Sequence, residues 1–125
     1  MRLLFVENDP TMAHLLSACA DRVSKINVAH NTAEAAAMLA PGHTFDAVVI
    51  DWMLDDADGL DIARGLRTFG DPVPIVMTSA ASMDRFTLLG DAVSKLGRAA
   101  CIQKPWTIDE VIAACRVAGA VPKGG

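Results

Sequence analysis

Four short stretches of the chain end in side chains suited to handling charge: Glu7-Asn8-Asp9, Asp51, Thr78 and Lys104. Carboxylates brought together repel unless a cation sits among them, and hard oxygen donors with a few waters describe a magnesium site. With Mg²⁺ and Lys104 offsetting the charge, Asp51 is placed to attack a phosphoryl group and form an acyl phosphate. Thr78 would give its hydroxyl to a phosphoryl oxygen, and backbone N–H groups after Asp51 would donate as well. Phosphoryl transfer asks for little more, since it rests on positioning and charge neutralisation. Alone, each residue has a plainer explanation: a solvated aspartate capping a buried strand, a strand-end threonine, a surface lysine. The case for chemistry depends on whether the fold makes them meet.

The elements that must do so are legible as hydrophobic patterns. Phe45-Asp46-Ala47-Val48-Val49-Ile50 is a continuous apolar run rich in β-branched residues, the mark of a strand buried on both faces, and Asp51 stands where it leaves the core. Asp55, Asp56, Asp58 and Gly59 then form a turn-prone loop, read with Asp61 as a solvated loop and helix-start acids rather than a second metal site. Arg2 to Val6 is a strand ending at Glu7, and Pro10 suits a first helical position, which makes Asp9 a candidate N-cap. Met12, Leu15, Leu16, Cys19 and Val23 mark one face of that first helix.

Ile26 to Ala29 is a short strand. Asn31 or Thr32 caps an alanine-rich helix running to about Ala40, and Pro41-Gly42 ends it. A third helix carries Leu60, Ile62, Ala63, Leu66 and Phe69 until Gly70-Asp71-Pro72 breaks it. Val73 to Met77 is a strand with Thr78-Ser79-Ala80 at its end. The fourth helix covers about 82–96, with Gly90 a weak point. Ala99 to Gln103 is the fifth strand, closed by Lys104-Pro105, and a last helix from about Thr107 shows Ile108, Val111, Ile112 and Cys115 in one stripe.

Strands alternating with helices predict an α/β fold, a doubly wound, five-stranded parallel sheet with helices on both faces. Chemistry-bearing residues end the first, third, fourth and fifth strands, so these must be neighbours, and the second strand is pushed to an edge beside the first. The order is then 2-1-3-4-5, flavodoxin-like, with its ligand crevice between strands one and three.

Composition narrows the function classes. At 125 residues the chain suits one domain with a substantial core. A net charge of -4 with no basic run argues against direct nucleic-acid binding. No apolar run is long enough to span a bilayer and no secretory signal pattern opens the chain, which predicts a cytoplasmic protein with no membrane partner. Cys19, Cys101 and Cys115 are odd in number and set among apolar neighbours, as reduced core thiols would be. Trp52 and Trp106 read as partly buried packing residues beside the pocket, and His14, His30 and His43 as surface residues.

Taken together, Val6-Glu7-Asn8-Asp9-Pro10, Val48-Val49-Ile50-Asp51-Trp52-Met53-Leu54 with Gly59 downstream, Met77-Thr78-Ser79-Ala80 and Gln103-Lys104-Pro105 resemble the receiver domain of two-component response regulators, CheY-like and single-domain. The resemblance runs along almost the whole chain. It implies a receiver domain over 1–119 with a flexible tail over 120–125. It further implies that Asp51 accepts a phosphoryl group from a histidine kinase or histidine phosphotransfer protein, and that the chain is a switch rather than a classical enzyme. Mg²⁺ would be held by Glu7, Asn8, Asp51, the backbone carbonyl of Met53 and, as an additional ligand, Asp9. Thr78 and Lys104 would read the phosphate, with Thr78 and Cys101 at the switch positions and Lys104-Pro105 in cis. Output would pass to a downstream target protein through the fourth helix, fifth strand and fifth helix, a surface that also admits a homodimer.

Three departures from that pattern matter. Asn8 stands where the family carries an acid that ligates the metal, and its amide oxygen brings no charge. Cys101 replaces a larger Tyr, Phe or His that swings inward on activation. The spacing from Thr78 to Lys104 is longer by about one helical turn. Met53, two residues after the acceptor, is apolar and would shield an acyl phosphate from water. These departures motivate an alternative, a phosphorylation-independent pseudo-receiver that binds a partner. A small phosphate-handling enzyme is a third class, disfavoured by the lack of a substrate base or glycine-rich phosphate loop.

Overall fold

The computed structural model of the chain describes residues 1–9 and 25–121. The first predicted helix, with Met12, His14, Leu15, Leu16, Cys19 and Val23, lies outside the described residues, as do positions 122–125 of the tail. Among the described residues there are five strands: β1 Arg2–Val6, β2 Lys25–Ala29, β3 Ala47–Asp51, β4 Ile75–Ser79 and β5 Ala99–Gln103. Four helices accompany them: α1 Thr32–Met38, α2 Gly59–Thr68, α3 Met83–Ser94 and α4 Ile108–Val117.

All neighbours in the sheet are parallel, in the order β2-β1-β3-β4-β5. Side chains alternate across it as a pleat requires. Leu4, Val6, Val48, Ile50, Ile75 and Met77 pack on one face against α1, α2 and α3. Leu3, Phe5, Ala47, Val49 and Val76 pack on the other, against Val111, Ala114 and Cys115 of α4. Parallel strands covered on both faces must be apolar at nearly every position; β1 and β3 are, and β4 turns polar only at its last two residues, Thr78 and Ser79.

Helix ends follow their capping residues. Asn31 caps α1 through the Glu34 N–H, Asp58 caps α2 through Leu60, and Thr107 with Glu110 forms a reciprocal capping box on α4. Helix α3 has Ser82 at its N-cap, which makes no side-chain capping bond. Arg67 stitches the lower end of the fold, donating to the carbonyls of Leu96, Gly97, Arg98 and Asp71. Burial depresses its pKa, since the charge is held among main-chain carbonyls rather than water.

Several expectations need correction. Strand β4 starts and ends two residues later than the pattern predicts, because Pro74 delays pairing and Thr78 and Ser79 stay in the sheet. Phe69 is 89% exposed rather than part of the core, since α2 ends at Thr68 and turns it outward. Helix α1 stops at Met38, short of Ala40. His43 is not a surface residue: its side chain is only 10% exposed and its Nε2 lies 2.6 Å from Asp71 Oδ2. Ala120 is buried, with its N–H donating to the Cys115 carbonyl. No helix among the described residues is long and apolar enough to cross a membrane.

Candidate functional site

The sheet order brings the C-terminal ends of β1, β3, β4 and β5 side by side, and Glu7, Asp51 and Lys104 meet there, with Thr78 beside Asp51 in register. Glu7 follows β1 and is buried; Asp51 closes β3 in register with Thr78 of β4; Thr78 is in turn in register with Ile102 of β5. Lys104, one residue past β5, reaches back across the sheet. Its Nζ donates to Glu7 Oε2 at 3.0 Å and to Asp51 Oδ2 at 3.1 Å. The two carboxylates are thus bridged by one ammonium, with side chains 5% and 12% exposed.

Each remaining carboxylate oxygen is oriented by the main chain. Asp9 N–H donates to Glu7 Oε1 at 3.2 Å and Met53 N–H to Asp51 Oδ1 at 3.3 Å. Burial pushes the Glu7 carboxyl above its ordinary value, Lys104 opposes this by hydrogen bond and charge, and the Asp51 charge adds to the rise. For Lys104 burial works against the charge, but the hydrogen bonds and charges of Glu7 and Asp51 outweigh it and hold the ammonium above its usual range. The site is therefore an anionic pair held by one cation.

The loop after Asp51 is fixed by its backbone. Trp52 N–H donates to the Thr78 carbonyl at 2.9 Å, Gly59 N–H donates to the Trp52 carbonyl at 2.7 Å, and Met53 bridges to Asp58. Gly59 is there because nothing larger fits: a Cβ at this position would lie 2.0 Å from the Asp51 carbonyl oxygen. On the other side of the site, Lys104 N–H donates to the Ser79 carbonyl and the Lys104-Pro105 peptide is cis. Asp56 is tied to Thr32 rather than to the site, and Asp58 serves as the α2 cap, so the acidic loop is structural.

Asn8 and Asp9 lie at the same strand end, half-buried and exposed. Among the described residues no three His, Cys, Asp or Glu side chains converge as a metal cage. The donors present, two carboxylates, the Asn8 amide and the Met53 carbonyl, are nonetheless the hard oxygens that Mg²⁺ takes when it keeps several waters. Cys101 sits mid-strand in register with Met77, away from the crevice mouth; it is half-buried, and burial raises its thiol pKa. Cys115 is buried, its thiol pushed up to about 12.

Sequence reasoning missed Arg85. Its guanidinium lies 5.5 Å from the centroid of the Trp52 ring, beside a small pocket of about 220 Å³ that also involves Met53, Leu54, Ala57 and Asp58. A larger groove of about 1130 Å³ lies at the opposite end of the strands, against Ala35, Leu39, His43, Leu66, Phe69 and Val73. It contains none of the predicted site residues, and size does not make it the functional centre.

The profile of the response regulator receiver domain matches residues 3–116. Response regulator MprA of Mycobacterium avium is 30% identical over 119 residues, which are 93% of this chain and 50% of that protein. The chain thus spans about half the length of that curated relative. Among solved structures, the non-phosphorylated HemR receiver domain from Leptospira biflexa is 26% identical, with a TM-score of 0.76 over 99% of this chain and 98% of that one. A Francisella response regulator receiver domain superposes with the same TM-score, 0.76, at 24% identity over 94% of each chain, a likeness of fold.

Proposed function

The chain belongs to the receiver domain family of two-component response regulators, and from that premise we propose that Asp51 accepts a phosphoryl group from a phosphohistidine on a kinase or phosphotransfer protein. The observation that carries the reading is the Lys104 ammonium joining Glu7 and Asp51 across the ends of β1, β3 and β5. An Asp51 carboxylate oxygen attacks phosphorus, the new O–P bond forms as the P–N bond breaks, and the imidazole departs with its electron pair. Lys104, already charged, stays on the same side of the crevice as the incoming oxygens and offsets their charge. Thr78, in register with Asp51, supplies a hydroxyl to one of them, and the backbone after Asp51 supplies N–H donors.

Glu7, Asn8, Asp51 and the Met53 carbonyl would hold Mg²⁺, with Asp9 as an additional ligand. When bound, the ion offsets negative charge on the phosphoryl oxygens. The phosphorylated chain then presents an altered surface on α3, β5 and α4 to a downstream target or a second copy, with Thr78 and Cys101 at the positions that answer to the phosphate. Such traffic belongs to the cytoplasm.

The test is intact mass after incubation with acetyl phosphate and Mg²⁺. One added phosphoryl group on the wild type, absent from Asp51→Asn and absent without Mg²⁺, is the expected result. An unmodified wild type with both acetyl phosphate and a phosphorylated histidine donor would overturn the proposal in favour of phosphate-independent binding.

A further inference from the structure

Helix α3 is weakly fixed at its start. Its N-cap Ser82 makes no side-chain bond to the first turn, Met83, Asp84 and Arg85 are exposed, and full burial begins only at Leu89. Gly90 in the middle lowers its intrinsic helicity further. What precedes it is tied to β5, with Gln103 Nε2 donating to the Ala81 carbonyl at 3.0 Å. What ties its first turn to the acceptor loop is Arg85, whose guanidinium covers the half-buried Trp52 ring at 5.5 Å.

Trp52 is well placed to pass on a movement. It follows Asp51 directly, its N–H is held by the Thr78 carbonyl, and its carbonyl is held by Gly59 at the start of α2. A displacement of Thr78 toward a phosphoryl group on Asp51 therefore shifts the backbone that carries the indole. Cys101 does not offer a comparable aromatic lever; its sulfur lies 3.8 Å from where a Gly90 Cβ would be, packed small against small.

Resting on the phosphoacceptor reading of Asp51, we infer that Arg85 is a positioning residue that latches the first turn of α3 to the acceptor loop through Trp52, so that the state of Asp51 is transmitted to this helix. The contact stacks a delocalised cation on an aromatic face, a geometry that guanidinium fills well and an ammonium fills less well. It is broken by removing the charge and weakened by changing its shape.

The experiment is amide hydrogen exchange on the full chain, comparing wild type, Arg85→Met and Arg85→Lys before and after acetyl phosphate with Mg²⁺, with Asp51 occupancy read separately by intact mass. Before phosphorylation, Arg85→Met should raise exchange about two- to fivefold in both the 52–58 and 83–88 segments, the value of an exposed cation–π contact. Arg85→Lys should fall between, and α4 should be unchanged. Phosphorylated wild type should move toward the Arg85→Met pattern in the same two segments. A response confined to α3, with the acceptor loop unmoved, would overturn the latch even if Asp51 is fully phosphorylated. Failure of Asp51 to take phosphate from acetyl phosphate and from a phosphorylated histidine donor, with the two-segment response to Arg85→Met intact, would sink the phosphoacceptor reading while supporting the latch.

Discussion

Replacing Lys104 by Met keeps the length of the stem and removes the one charge shared by Glu7 and Asp51. Both acceptor oxygens lie about 3 Å from Nζ, so they are no more than about 6 Å apart. Two like charges at that separation repel by about 1 kcal/mol if water screens them and by about 3 kcal/mol at an effective dielectric of ~20. Breaking a fully buried pair costs about 3–5 kcal/mol; the Lys104 side chain is 24% exposed, which places the expected loss lower, at about 2–3 kcal/mol. The loss depends on pH with a definite sign. The folded-state pKa of Glu7 already lies above its unfolded value, and removing Lys104 takes away two influences that lower it. The folded variant then binds more protons than the unfolded chain between those two values, so its stability rises as pH falls through that window. Urea unfolding followed by circular dichroism at pH 7.5 and pH 5.5 should show the variant deficit shrink in acid. A deficit below about 0.5 kcal/mol, or one independent of pH, would refute the bridging role of this lysine.

Two further substitutions probe the same strand ends. Gly59→Ala places a methyl against the Asp51 carbonyl, a clash with backbone that cannot rotate away, and should cost about 3 kcal/mol or more in thermal or urea unfolding; a loss under about 1 kcal/mol would mean the loop yields. Asn8→Asp adds a carboxylate where the amide now stands. One further negative charge about 4 Å from a dication is worth about 2 kcal/mol in water, so Mg²⁺ affinity by calorimetry should rise about tenfold or somewhat more. An unchanged affinity would place position 8 outside the metal's reach.

Most of the site was legible because a parallel sheet puts all strand ends of one direction on one edge. Once Arg2–Val6, Phe45–Asp51 and Ala99–Gln103 read as buried strands, Glu7, Asp51 and Lys104 had to be neighbours, and they are. Thr78 was found at the right place although its strand was drawn two residues early, since register depends on pairing rather than on the apolar run. Contacts between residues distant in sequence and without a periodic signal were not legible. His43 and Asp71, 28 positions apart, each look like loop residues until the chain brings them together. Arg85 carries no pattern at all; its contact with Trp52 depends on how α3 leans, which hydrophobic spacing does not encode. Phe69 matched the stripe of α2 and failed because the helix ended one residue earlier.

The Lys104 bridge spans 97 residues to Glu7 and 53 to Asp51. Contacts of such separation close long loops, so their entropy cost falls on the whole intervening chain. With β1 and β3 paired but β5 loose, Asp51 and Glu7 face each other with no ammonium between them. The bridge is thus a property of the completed sheet alone, and a local opening that detaches β5 breaks it while β1 and β3 stay paired.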